Sequence, residues 1–340
     1  MIIVIPANRP RRQIVRMNER TNTMNGRKLL KTAADFGLII AIALSTIGEL
    51  FASSSPVEAT SGPDGNKPAL TVNPLKPPAQ GSIPVAFLVS DGAVIIDFCG
   101  PWEVFQDVNI PGRSNAPFRL YTVAETTTPI RASGGMKIIP DYTLANAPAP
   151  KVVVIPAQSE PSAAVLEWIR KSTKNTDVTM SVCTGAFVLA KTGLLSGKAA
   201  TTHHTAFRPL AVQFPDIHVQ RGARFVEDAN LATAGGLSSG IDLALRVVER
   251  YYGREVAEKT AYQMEYQGQG WMNADSNQVY AEARTSTDEH PLCPVCQMDV
   301  DPATAPKSVY RGATYYFCSD DDKKTFDAAP DKFVTADKKL

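Results

Sequence analysis

Hydrophobic residues between positions 83 and 266 fall into two alternating patterns, short continuous runs and longer stretches with a helical period. These strand-like runs cover 85–89, 118–124, 151–157, 178–182 and 230–236. The first is continuously apolar, as expected for a parallel strand buried on both faces. The helical stretches cover 100–108, 161–172, 186–190, 206–214, 238–253 and 253–266, and a hairpin is expected within 218–228. Strands that alternate with helices predict an open, mostly parallel α/β sheet with helices on both faces.

One strand-to-helix junction carries candidate chemistry. The run at 178–182 passes through a single sharp step, Cys183-Thr184-Gly185, into a helical stretch, which is the layout of a nucleophile elbow. Backbone N–H groups and the dipole at a helix start favour a thiolate, so Cys183 is a candidate nucleophile. A buried cysteine that packs as a small apolar side chain is the structural alternative. The Thr184 hydroxyl could orient a water molecule, or it could only satisfy donors at the helix start.

Further candidates lie in loops expected at the carboxyl ends of the strands, where sites form in such sheets. These loops should bring Asp97, Cys183 and His203 within reach of one another. Asp97 is either a general acid/base or a helix cap. His203, in a doublet with His204, is either a proton carrier or a structural residue. We interpret Cys99 as a packing residue.

The N-terminal part of the chain has the order of a secretory signal. Eight lysines and arginines between positions 9 and 31 precede an apolar run at 36–48 and then small residues. Residues 1–52 are therefore predicted to be a signal-like or membrane-anchor segment, with cleavage after Ala52 or Ala59, and 53–81 a disordered linker. The protein would then be periplasmic or anchored to the inner membrane. An uncleaved anchor and a cytosolic amphipathic helix are the alternatives.

Composition narrows the choice of function. In 340 residues, 44% are hydrophobic and 20% charged, as in an ordinary globular protein. The net charge of +1 argues against nucleic-acid binding, which usually needs a basic stripe. Five cysteines are an odd number and cannot all be paired within one chain.

Three of these cysteines lie near the C-terminus, where residues 267–289 are predicted to be a second linker and 290–334 a small module. The module is too short for a large core. It contains soft ligands suited to copper or zinc, and the candidate metal ligands are His290, Cys293, Cys296, Met298 and Cys318. A disulfide, either Cys293–Cys296 or Cys293–Cys318, is the alternative in an oxidising compartment.

Three motifs resemble the ThiJ/PfpI superfamily: IIDFCGPWEVF, VCTGAFVLAKTGLLSGKAATTHH and LATAGGLSSGIDLALRVVE. They are similar to the subgroup of isonitrile hydratases and of the N-terminal halves of AraC-type regulators, and the resemblance covers 82–266. It implies a flavodoxin-like three-layer α/β sandwich, a homodimer, and no cofactor in this domain. It also implies that Asp97, Cys183 and Thr184 form the functional set, with His203 near the cysteine.

The C-terminal module resembles a YHS domain. The segment PVCQM matches the family's opening motif except that Gln297 replaces the usual glycine, and YYFCSDDDKKTF matches the closing motif. Some members have a second cysteine where this chain has Asp322. The resemblance supports a copper or zinc site, and no helix-turn-helix pair follows the α/β domain as it would in an AraC-type regulator.

These resemblances imply an enzyme with a small-molecule substrate, an isonitrile-hydratase-like hydratase or hydrolase. Cys183 would attack the terminal carbon of an isonitrile and Asp97 would move the proton, so that water addition gives an N-substituted formamide. Two alternatives remain open. One is glyoxalase-type activity on 2-oxoaldehydes, and the other is a non-enzymatic redox or metal-stress protein with Cys183 as its sensor.

Overall fold

The structure is a computed structural model that describes residues 73–287 and 289–334. The predicted signal-like or membrane-anchor segment (1–52) lies outside the described residues, as does most of the predicted linker at 53–81. Within the described part of the chain, no helix combines the length and apolar character needed to cross a bilayer.

A seven-stranded sheet forms the centre of the described α/β domain. The strands of this part of the chain are β1 (Ile83–Leu88), β2 (Phe118–Ala124), β3 (Ile130–Arg131), β4 (Lys137–Ile138), β5 (Tyr142–Thr143), β6 (Val152–Ile155), β7 (Val178–Val182), β8 (Ala199–Ala200), β9 (His218–Val219), β10 (Phe225–Asp228) and β11 (Leu231–Ala234). Their order across the sheet is β10-β11-β7-β6-β1-β2-β5, and only the β10–β11 pairing is antiparallel. This is the order of a doubly wound sheet.

Helices cover both faces of this sheet. They are α1 (Ile95–Gln106), α2 (Ala163–Thr173), α3 (Gly185–Lys191), α4 (Phe207–Gln213), α5 (Ser239–Tyr252) and α6 (Arg254–Gln263). Alternate residues of the strands face opposite layers. Val85 and Phe87 pack with α1, α5 and α6, whereas Ala86 and Leu88 pack with α2, α3 and α4. The three-layer α/β sandwich expected from the sequence is therefore confirmed.

Strand β7 positions the predicted elbow at the centre of the sheet. It has the predicted bounds, lies between β6 and β11, and is buried along its whole length. Helix α3 begins two residues after its end, with Gly185 pressed against β6. A Cβ atom at Gly185 would lie 2.2 Å from the carbonyl oxygen of Ile155. The elbow can therefore form only if residue 185 has no side chain.

Replacing Gly185 with alanine is expected to lower the free energy of unfolding by about 3 kcal/mol or more, because the backbone of β6 cannot move away cheaply. Urea denaturation measures this loss. Gly193→Ala is the matched control. Gly193 has φ +81°, but a Cβ atom added there would have nothing within 4 Å, so that substitution should cost only about 1–2 kcal/mol of backbone strain. Equal losses in the two variants would contradict the steric explanation.

The hairpin expected within 218–228 is not formed there. Strand β9 pairs in parallel with β8, and β10 pairs in antiparallel with β11. The chain changes direction at Gly222, which has φ +73°, so that β9 and β10 diverge. The hairpin instead closes one strand later, at a two-residue turn where Ala229 has φ +56°. The prediction was wrong because the turn at Gly222 separates the two strands instead of joining them.

The linker predicted at 267–289 begins as a packed part of the α/β domain. Trp271 is 2% exposed, and its backbone N–H donates to Asp242 over 2.9 Å. Asp242 is fully buried in α5 and also accepts hydrogen bonds from Tyr266 and Arg224. The prediction of an irregular linker is therefore wrong for this part, because a buried carboxylate fixes the segment through contacts distant in sequence.

The C-terminal module has its own small core. Its elements are β12 (Lys307–Tyr310), β13 (Ala313–Tyr316), α7 (Asp320–Ala328) and α8 (Pro330–Val334), with β12 and β13 forming an antiparallel hairpin. The buried residues at its centre are Cys293, Val295, Phe317, Phe326 and Phe333. Val212 of α4 packs against this core, so the module gains apolar contact that its own length cannot supply.

Candidate active site and metal centre

Cys183 occupies the elbow with a left-handed backbone. Its φ is +58°, an uncommon value for a residue with a side chain. Its N–H donates to the Gly235 carbonyl over 2.8 Å, and its own carbonyl accepts from the Thr202 hydroxyl over 2.8 Å. Such a conformation persists where surrounding bonds determine it. Here both backbone groups of Cys183 are held, and the side chain is only 8% exposed.

The sulfur of Cys183 is surrounded by hydrogen-bond donors. The backbone N–H groups of Thr184 and Leu237 and the Thr184 hydroxyl all interact with it. Leu237 is not identifiable from the sequence. Its contribution is a backbone N–H, which any residue except proline provides, so no side-chain pattern marks it. Its φ of +48° belongs to the same tight turn before α5, and this turn completes the donor set.

Asp97 lies in the first turn of α1 and is fully buried. Its Oδ2 accepts a hydrogen bond from the Ala157 N–H over 3.1 Å, sixty residues away in sequence. The Cys183 side chain lies close enough to the carboxyl group to lower its pKa, and within the described residues Oδ1 has no hydrogen-bond partner. The helix-cap alternative is therefore wrong. Asp97 connects the carboxyl end of β6 to the sulfur, with one oxygen left for a ligand.

Burial raises the pKa values of both Asp97 and Cys183. Burial raises the pKa of Asp97 to about 6, although the hydrogen bonds from Ala157 and Cys183 oppose the shift. Burial and the negative charge of Asp97 raise the pKa of Cys183 to about 11, against the N–H groups of Thr184 and Leu237. Burial and the Asp97 charge therefore outweigh the effect of the helix start, which was expected to favour the thiolate of Cys183. Near neutral pH the site contains a thiol beside a carboxylate base.

His203 lies next to Gly236, which belongs to the turn that contains Leu237. Its Nδ1 is hydrogen-bonded to the Thr205 hydroxyl over 2.9 Å, and its ring fills the space beside Gly236, where a Cβ atom would lie 2.3 Å from Cδ2. The ring also packs on His204 at 4.3 Å between centroids. Burial, and then His204, lower its pKa. The ring of His203 thus supports the turn next to Leu237, and its lowered pKa favours the neutral imidazole.

Four side chains in the C-terminal module converge on one point. One ligand atom from each lies within 4.8 Å of the others, and the four are Cys293, Cys296, Cys318 and Asp322. The thiols of Cys293 and Cys318 donate to Oδ2 of Asp322 over 3.3 and 3.2 Å. The sulfurs of Cys296 and Cys318 are 3.4 Å apart. The structure therefore brings together the three predicted cysteines.

Of the two other predicted ligands, the His290 side chain does not join this cluster. His290 is exposed and lies outside it. Met298 is 42% exposed and takes part through its backbone, since its carbonyl accepts from the Cys293 N–H over 2.9 Å. Asp322 stands where some members of the family have a cysteine, but it is not among the ligands expected from the sequence. That counterpart position is the signal that could have identified it.

The chemistry of this cluster fits a metal ion. Structural zinc takes four ligands in a tetrahedron with Zn–S distances of about 2.3 Å, and three sulfurs with one carboxylate supply that number. A hydrogen bond from Cys296 lowers the pKa of Cys293, which favours the thiolate form that binds a metal ion. The carboxylate favours zinc over Cu(I), which prefers sulfur alone.

Two family profiles match the chain. The profile of the DJ-1/PfpI family matches residues 84–250, and that of the YHS domain matches residues 293–337. Among solved structures, a THiJ/PfpI family protein from Pseudomonas syringae is 27% identical, with a TM-score of 0.50. That similarity covers 64% of this chain and 84% of the other.

Curated relatives agree with these matches. An isonitrile hydratase from Pseudomonas putida is 30% identical over 190 residues, which cover 54% of this chain and 79% of the relative. The HTH-type transcriptional regulator CdhR from Pseudomonas aeruginosa is 28% identical over 182 residues, which cover 52% of this chain and 53% of the regulator. With a doubly wound sheet, an elbow cysteine and a separate C-terminal cysteine cluster, the chain belongs to the DJ-1/PfpI family and carries a YHS domain.

Proposed function

We propose that the α/β domain is a cysteine-dependent hydratase that adds water to isonitriles and releases N-substituted formamides. One observation carries this proposal. A fully buried carboxyl group, Asp97, lies beside the Cys183 side chain, so that each shifts the pKa of the other, and Asp97 Oδ1 has no hydrogen-bond partner among the described residues. The similarity to the Pseudomonas putida isonitrile hydratase supports the choice of substrate.

The first step forms a bond between sulfur and carbon. Asp97 is positioned to accept the thiol proton of Cys183 as the sulfur attacks the terminal carbon of R–N≡C. The proton then passes to that carbon, and the product is a thioimidate, R–N=CH–S–Cys183. Removing the proton during attack avoids a free thiolate, which burial and the neighbouring carboxylate make costly.

The second step consumes water. A water molecule bound between Asp97 and the Thr184 hydroxyl attacks the imidate carbon while Asp97 accepts its proton. The carbon–sulfur bond then breaks, one proton reaches the nitrogen and another returns to sulfur. The product is R–NH–CHO, and the thiol and the carboxylate are restored. Donors from Thr184 and Leu237 stabilise the sulfur as it leaves.

Turnover of defined substrates tests this proposal. Purified protein is incubated with alkyl and aryl isonitriles and, separately, with 2-oxoaldehydes, and the products are followed by NMR. Formamide production is the expected result. Hydroxyacid production without formamide would replace the proposal with glyoxalase-type chemistry. A sensor role for Cys183 has less support, because oxidant-sensing cysteines are exposed, whereas Cys183 is buried.

We further propose that the YHS domain binds zinc through Cys293, Cys296, Cys318 and Asp322. Asp322→Ala in the full chain should weaken zinc binding by about 100-fold, because it removes a ligand of the four-coordinate site. Competition with a chromophoric chelator under reducing conditions measures the affinity. Asp321→Ala is the matched control, since Asp321 is exposed and paired with Lys324. Equal affinities in the two variants would remove Asp322 from the site.

Export and a homodimer complete the proposal. Both rest on the sequence: the signal-like order of residues 1–52, which lie outside the described residues, and the family's usual dimer. Cell fractionation with intact-mass analysis tests export and cleavage. Light scattering of the purified chain tests the dimer, and a monomeric mass at micromolar concentration would contradict it.

A further inference from the structure

The three sulfurs of the metal cluster differ in how exposed they are. Cys293 is fully buried, Cys296 is half-buried and Cys318 is exposed. Cys296 also borders a cavity of about 500 Å³ that includes His204 and Met298. Small polar molecules can therefore reach Cys296 and Cys318 but not Cys293.

The two accessible sulfurs are also in direct contact with each other. The Cys296 and Cys318 sulfurs are 3.4 Å apart, and a disulfide needs about 2.05 Å. Closing the gap takes a shift of about 1.4 Å, and Cys318 lies in the short loop between β13 and α7, where such a shift is local. The Cys293 thiol also donates to Asp322 but, unlike Cys318, it is buried in the core of the module.

We propose that Cys296 and Cys318 form a redox-active dithiol whose oxidation by hydroperoxides gives a disulfide and expels the metal ion. This proposal goes beyond the hydratase function and does not depend on it. It differs from both disulfides considered from the sequence, since each of those used Cys293. The buried cysteine is the one that stays reduced.

The reaction balances with one peroxide per disulfide. The exposed Cys318 sulfur attacks hydrogen peroxide, the O–O bond breaks, and a sulfenic acid and one water form. Cys296 then attacks the Cys318 sulfur, the S–O bond breaks, and a second water leaves. The two protons come from the thiols in the metal-free chain, and from solvent when a bound metal ion holds both sulfurs as thiolates. Two thiols lose two electrons, and these reduce the peroxide to water.

Disulfide formation removes two of the four metal ligands. Cys293 and Asp322 remain, and two protein ligands fall short of the four that a structural zinc ion needs. The ion should therefore leave when the bond forms, in a ratio of one zinc per disulfide. Thiol reductants would restore both cysteines and the capacity to bind zinc.

The test uses the full chain in a Cys183→Ala background, which removes the other candidate thiol. The reduced protein is loaded with one equivalent of zinc and treated with hydrogen peroxide. Zinc release is followed with a chromophoric chelator, and disulfides are mapped by mass spectrometry of peptides. We expect a Cys296–Cys318 linkage that appears together with released zinc. Linkage through Cys293, or zinc retained after both thiols are lost, would overturn the proposal.

Single substitutions in the metal-free, folded chain distinguish the Cys296–Cys318 pair from Cys293. Cys293→Ser should still form the Cys296–Cys318 disulfide, because the contacting sulfurs remain. Cys318→Ser and Cys296→Ser should form none, and their remaining thiols should be consumed by peroxide at least about tenfold more slowly, since no partner resolves the sulfenic acid. Loss of the disulfide in Cys293→Ser, with circular dichroism unchanged, would contradict the assignment.

Discussion

Cys183→Ala is expected to lower kcat for isonitrile hydration by about 10⁴-fold or more, the usual effect of removing a covalent nucleophile. No neighbouring group can replace the sulfur. Asp97 is held by Ala157 on the far side of the site, and the Thr184 hydroxyl is directed at the position that the sulfur leaves. Formamide production measured by NMR, with mass spectrometry for a thioimidate adduct, checks the result. The variant should form no adduct.

The fold should survive this substitution. The left-handed backbone at Cys183 is held by hydrogen bonds to Gly235 and Thr202, and alanine has the same Cβ and keeps both bonds. The free energy of unfolding should change by no more than about 2 kcal/mol. Cys99→Ala is the matched control, because Cys99 is a free, partly buried cysteine packed against the core from α1. It should remain active. Activity lost in Cys99→Ala and kept in Cys183→Ala would invert the assignment.

The sheet and the elbow were predictable because their determinants are local. Strands β2 and β7 have the predicted bounds, since each is a short, mostly buried run with a clear break at both ends. The need for glycine at 185 follows from the same turn. Asp97 and Cys183 could be brought together from the sequence because parallel strands deliver their carboxyl ends to one edge.

The remaining features depend on contacts that no local pattern contains. Trp271 lies in a polar segment, yet a hydrogen bond to buried Asp242 fixes it to the domain. Leu237 acts through its backbone N–H. The direction of the Cys183 pKa shift does not follow from the helix start alone, because burial and a neighbouring negative charge act against it. The metal ligands predicted from the sequence did not include Asp322, because its carboxylate stands where some family members have a cysteine.

The pKa shifts of Cys183 and Asp97 give these two side chains separate roles in the site. A thiolate that formed freely would react readily with oxidants. A buried thiol paired with a carboxylate base is protected until a substrate carbon arrives. Asp97 therefore has two effects. It raises the pKa of Cys183 in the resting site and removes the thiol proton during attack.

Asp97→Asn separates these two effects. The amide cannot accept the proton, so kcat/KM should fall by about 10²- to 10⁴-fold. The same change removes the negative charge that raises the pKa of Cys183, so alkylation of Cys183 by iodoacetamide at pH 8 should become faster. Glu103→Gln, an exposed carboxylate of the same helix, is the matched control and should change neither rate. Slower alkylation together with lost turnover would point to a damaged site instead of a missing base.

The pH profile gives an independent test of the same carboxylate. Because the base must be ionised and burial raises the pKa of Asp97 to about 6, kcat/KM of the unmodified protein should rise with pH through about 6 and then level off. The contribution of Asp97 to the free energy of unfolding should instead fall as the pH rises. A carboxyl group whose pKa is raised by folding binds its proton more tightly in the folded state, so its contribution is lost as the pH rises through about 6. In Asp97→Asn, kcat/KM should therefore show no rise with pH through about 6. The free energy of unfolding of this variant should be at least as large as that of the unmodified protein at pH 8. An unchanged profile in the variant would assign the base to another group.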